Sequence, residues 1–126
     1  MTKISINVIL VLAIIYVVPF IVYGLASAFF GLPTPEGVSP LMFLVSVLVS
    51  KIGASVAFVL IFYFARNSFR DHWFLYAIIW WTMFVIGEVG QAIGPHYSWS
   101  YAIAGIISET IYFPASSYVL RLLSKD

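Results

Sequence analysis

The chain has 126 residues, of which 63% are hydrophobic and only 9% charged. Soluble domains carry about 25% charged residues, so this composition is that of an integral membrane protein and leaves no room for a separate water-soluble catalytic or binding domain. Six Lys and Arg against five Asp and Glu give a net charge of +1, which removes the electrostatic case for nucleic acid as a partner. The absence of cysteine excludes disulfides, thiol catalysis, iron–sulfur clusters and Cys-ligated zinc.

Glycine, proline and charge cluster at 31–39, 66–71 and 94–97, and these clusters divide the sequence into four apolar segments. The segments are predicted as membrane-spanning helices over about 6–30, 40–65, 72–93 and 98–123, each long enough to cross a hydrocarbon core of roughly 30 Å. A barrel would show alternating segments of about ten residues, and the unbroken run from Val8 to Val18 has no such alternation. The expected fold class is therefore an all-α integral membrane protein: one domain over 1–126, four transmembrane helices in a compact antiparallel bundle, with consecutive helices as neighbours.

In the first span, Lys3, the apolar run and Ala26-Ser27-Ala28 resemble a secretory signal with its cleavage site. The run exceeds a signal core in length and its basic region is small, so the segment is expected to remain as a span. Pro19 frees the carbonyl of Ile15. The second span carries Lys51 at membrane depth, with Ser46, Ser50, Gly53 and Ala57 at spacings that predict close helix contact. Arg66 and Arg70 in the second connection fall on the same side as Lys3, Arg121 and Lys125, whereas the other two connections lack Lys and Arg. The positive-inside rule then places both termini in the cytoplasm, of a bacterial or archaeal cytoplasmic membrane.

The third span opens with Trp73 and Tyr76, which together with Tyr97, Trp99 and Tyr101 are expected to anchor depth at the two interfaces and to do nothing else. Trp80 and Trp81 project about 100° apart, one toward lipid and the other toward the bundle. Glu88 falls about 9 Å below the outer surface. Gln91, one turn beyond it, extends a polar stripe toward an outward opening, and Gly87, Gly90 and Gly94 are again expected at helix contacts.

The fourth span carries Glu109 at the same depth as Lys51, roughly 16 Å below the surface, so an ion pair across the second and fourth helices is expected. Tyr112 and Ser116 continue the Glu109 face, and Pro114 leaves the carbonyl of Thr110 without its helical partner. Three ionisable groups in so small a bundle require mutual pairing or a wet cavity. One lysine compensates one carboxylate, so the second acid is expected to hold a proton at neutral pH.

Lys51, Glu88, Glu109 and Gln91 are thus the candidate site for a proton or small polar solute, with Tyr112, Thr110 and Ser116 in support. No catalytic residue, metal ligand set or cofactor site is expected. His72 and His96 lie about 36 Å apart, too far to ligate one haem. The leading expectation is proton- or ion-coupled transport or binding of a small solute, by a homo-oligomer or a subunit of a larger membrane complex. The alternative is an accessory, assembly or immunity-type protein whose charges only fix helix packing. A membrane enzyme acting on a lipid or isoprenoid ranks third, for want of a motif.

Overall fold

A computed structural model describes residues 3–31, 39–95 and 97–124. They form α1 (Lys3–Phe30), α2 (Pro40–Phe64), a single turn α3 (Arg66–Phe69), α4 (Trp73–Ile93) and α5 (Trp99–Leu123), with no strand among the described residues. His96, Lys125 and most of the 31–39 cluster lie outside these residues.

Local chemistry sets the helix ends close to where the punctuation predicts them. Gly31 adopts φ 65°, a left-handed conformation that costs glycine nothing, and its N–H closes α1 by donating to the Ser27 carbonyl at 3.1 Å. Ser39 and Ser98 cap α2 and α5: each holds an extended backbone, and its Oγ accepts from the N–H of Met42 at 3.1 Å and of Tyr101 at 3.2 Å, respectively. Pro40 occupies the first turn of α2, where its missing N–H is no loss. The connection after α2 is not irregular, as its charge suggests, but winds into α3 before α4 begins.

Three helices are long and apolar enough to cross a membrane: α1, Leu41–Phe64 of α2, and α4. The fourth predicted span forms α5, of the same length as α2, but is not among them. The reason lies in its composition. Ser108, Glu109, Thr110, Ser116, Ser117 and Arg121 all lie on it, and most of these face inward because α5 is the central helix.

Its backbone packs along both α4 and α1, while α2 packs along α1. The pairings run antiparallel. On α1 and α2, Asn7 Nδ2 donates to the Tyr63 hydroxyl at 2.5 Å and the Tyr16 hydroxyl to the Leu44 carbonyl at 3.1 Å. On α4 and α5, Trp73 meets the ring of Tyr118 and Trp81 Nε1 donates to Thr110 Oγ1 at 2.9 Å. The expectation that all consecutive helices are close neighbours therefore needs correcting. The backbones of α2 and α4 do not pack closely, and large side chains fill the space between them.

That filling is the core. Phe58 of α2 lies 4.9 Å from the ring of Tyr76, 5.3 Å from Trp80 and 5.8 Å from Phe113, and the Tyr76 hydroxyl donates to the Phe58 carbonyl. Val11 and Ile15 of α1 close the cluster. Tilted and edge-on aromatic pairs at these separations contribute about 0.5–1.5 kcal/mol each beyond area burial. Tyr76 is thus a core residue and not the interfacial anchor expected from its position. Of the adjacent tryptophans, Trp80 is buried and Trp81 half-buried.

This core occupies the half of the bundle near Arg66. At the other end, near Gly94, α2 diverges and Leu41, Met42, Val45, Ser46, Val49 and Ser50 are all exposed. The small residues on α2 and α4 are a second correction. A Cβ built on Gly53, Gly87 or Gly90 meets nothing within 4 Å, so these positions are not close contacts between helices of one chain. The glycine that is tightly packed is Gly105 on α5.

Candidate functional site

Gly105 is where the polar centre is assembled. A Cβ at this position would lie 2.5 Å from Glu88 Oε1, 2.7 Å from its Cδ and 2.9 Å from Oε2, so the carboxyl of α4 lies directly on the bare backbone of α5. Glu109 is one turn further along the same face of α5. Resting on Gly105, the Glu88 carboxyl comes within hydrogen-bond reach of the Glu109 carboxyl. Two carboxylates at that distance repel, so the arrangement disfavours simultaneous ionisation of both acids.

The two acids differ in access. Glu109 is only 3% exposed and its Oε1 has no hydrogen-bond partner. Glu88 is half-buried, and its Oε2 accepts a 2.6 Å hydrogen bond from the Tyr97 hydroxyl. Tyr97 stands in the turn between α4 and α5 and is also within hydrogen-bond reach of Tyr23 on α1. Burial, reinforced by the Glu88 carboxyl it faces, pushes the Tyr97 phenol well above its usual range, so it is a donor at every physiological pH. The Tyr23 hydroxyl donates to the Tyr101 carbonyl at 3.2 Å, and the Tyr101 ring lies 5.9 Å from that of Tyr23 and 6.1 Å from that of Tyr97. Three tyrosines therefore roof the acid pair at the Gly94 end.

Lys51 approaches from α2, half-exposed where that helix diverges. Its ammonium donates to the Tyr112 hydroxyl at 3.4 Å and stands over the Tyr112 ring, 5.1 Å from the centroid. Both carboxyls act electrostatically on it. Its one hydrogen bond goes to Tyr112, a turn below Glu109, so the lysine faces the acid pair across a phenol without touching either carboxyl.

Four of the residues singled out in the sequence therefore converge: Lys51, Glu88, Glu109 and Tyr112. Gln91 is exposed and joins none of these contacts. Thr110 lies about 100° round α5 from Glu109 and outside this group; its hydroxyl accepts from Trp81 and donates to the Ile106 carbonyl at 2.7 Å. Ser116 is buried a turn below Tyr112, with its Oγ unpartnered. The sequence reading missed Tyr23, Tyr97, Tyr101 and Gly105. Only Tyr97, just across the turn from Glu88, carried a signal in the sequence that pointed to it. Among the described residues no group of His, Asp and Glu has the arrangement of a metal site.

Comparison of the chain with protein-family models, with curated proteins and with solved structures gives no match.

Proposed function

We propose that the chain crosses the membrane four times with both termini cytoplasmic, and that its Glu88–Glu109 pair, balanced by Lys51, binds and releases a proton coupled to binding or transport of a small solute. The observation that carries this reading is the Glu109 carboxyl, buried against a second acid with one oxygen unpartnered. A structural knot would satisfy every polar atom, since buried groups left unpaired cost stability without return. The basic side chains of Arg66, exposed, and Arg70, half-exposed, against an opposite end without Lys or Arg among the described residues, support the orientation. The open faces at Gly53, Gly87 and Gly90 give a second copy room for close helix approach, which favours a homo-oligomer.

Topology is tested by cysteine labelling, which has no native background here. Ser100→Cys should react with an impermeant maleimide added outside, and Asp71→Cys only after the membrane is opened; the reverse pattern refutes the orientation. The proton site is tested by the infrared carboxyl band of the purified protein between pH 5 and 9. A protonated carboxyl present at low pH, lost as pH rises, and absent in Glu109→Gln supports it. An accessory protein would show no such band, with both Gln variants altering only assembly or abundance.

A further inference from the structure

We propose that the polar centre takes an alkylammonium ion, a protonated amine with a short hydrocarbon chain, in exchange for the proton held between Glu88 and Glu109. This rests on the reading of the acid pair as a proton-binding site and names its ligand class.

The chain carries its own example of the ligand. Lys51 is a tethered alkylammonium, and its nitrogen already occupies a cation position above the Tyr112 ring at 5.1 Å, with the phenol oxygen at 3.4 Å. That phenol satisfies one of the three N–H donors of the ammonium. One turn away on α5 is an acceptor that nothing among the described residues fills, Glu109 Oε1, on a side chain only 3% exposed. A cationic N–H is the donor that best suits a desolvated carboxylate, because it brings the hydrogen bond and the compensating charge together.

The surroundings select the same chemistry. The titratable groups facing the pair are Tyr23 from α1, Lys51 from α2, Tyr97 from the turn, and Tyr101 and Tyr112 from α5. Apart from Lys51 these are phenols, whose π faces attract cations and whose rings accept hydrocarbon. An anion would meet two carboxyls. A sugar-like solute would need more hydrogen-bonding groups than a few tyrosine hydroxyls, most of them already engaged. Entry lies beside α2, where the helix diverges and leaves Lys51 half-exposed. The exchange balances: the incoming cation takes the charge of the departing proton, which leaves to water, and no covalent bond changes.

The test is calorimetry on the full chain in nanodiscs, with n-butylammonium, tetraethylammonium, n-butanol and butyrate as probes at pH 6, 7 and 8. n-Butylammonium should bind with release of about one proton, and tighten by up to about tenfold per pH unit while the pair is still protonated, whereas tetraethylammonium, which has no N–H to donate, should bind far more weakly. Butanol and butyrate should not bind measurably. Glu109→Gln should weaken the cations by about a hundredfold or more. Lys51→Met should retain cation binding and tighten it at pH 8, because the internal competitor is gone; if the variants fold poorly, the pH dependence and the butanol comparison in the native chain decide the matter. Equal binding of butanol, or cation binding indifferent to pH, overturns the proposal. A titrating infrared carboxyl band without ammonium binding refutes the ligand class and leaves the proton site standing, whereas absence of the band removes both.

Discussion

Lys51→Met is expected to destabilise the bundle more than Glu109→Gln, and the double variant to cost less than the sum. Removing Lys51 leaves Glu88 and Glu109 facing each other with no cation in range, and truncating one partner of a buried charge pair typically costs about 3–5 kcal/mol. Removing Glu109 instead leaves Lys51 with Glu88, so compensation survives. The lysine stands off by one phenol, so its coupling to Glu109 should fall at about 1–3 kcal/mol, below a fully formed buried pair. The Lys51→Met penalty should also grow as pH rises. At low pH the acids can neutralise themselves with protons, and at high pH they cannot. Thermal unfolding in detergent of the two single variants and the double, at pH 5.5 and 8, measures this. Additivity within about 0.5 kcal/mol at both pH values would mean that Lys51 and Glu109 do not sense each other.

How much of this was legible in the sequence follows from what a helix period can encode. Turn chemistry placed the long helices to within a few residues, because Gly31, Ser39 and Ser98 act locally. How far along their helices Lys51, Glu88 and Glu109 lie was legible for the same reason, since rise per residue is fixed. Rotation was not. Spacing puts Gly53, Gly87 and Gly90 on helix faces, but whether a face meets another helix or open space depends on which helices are neighbours, and α5 took the central place. The expected direct contact of Lys51 with Glu109 failed on the same point: the ammonium bonds the Tyr112 hydroxyl, one turn beyond Glu109 on α5, instead. The tyrosines at the Gly94 end were assigned to the interface because aromatic residues near helix ends usually serve there, and a hydroxyl bonded to a buried acid leaves no trace in composition.

Gly105→Val should abolish the protonated carboxyl at neutral pH while leaving both acids in place. A single added carbon would sit 2.5 Å from Glu88 Oε1, and the branches of valine would close the path by which the carboxyl could return to the α5 backbone. Glu88 must then swing away from Glu109, which costs about 1–3 kcal/mol as overpacking and a lost hydrogen bond from Tyr97. What remains in the centre is one carboxyl, Glu109, with one cation, Lys51, acting on it. A one-to-one balance of charge leaves no reason to retain a proton, so the infrared band proposed for the native chain should be absent at pH 7 in the variant. Gly53→Val and Gly87→Val are the matched controls, because both sites are open within the chain and add bulk to a span, on the face proposed for a second copy, without touching the pair. A band unchanged in Gly105→Val, in a protein that still folds, would show that the proton belongs to Glu109 alone and owes nothing to Glu88. Loss of the band in the controls as well would point to a general loosening of the helices. The contrast between the three glycines isolates the one property that the centre takes from Gly105: a backbone with no side chain, against which a second carboxyl can lie.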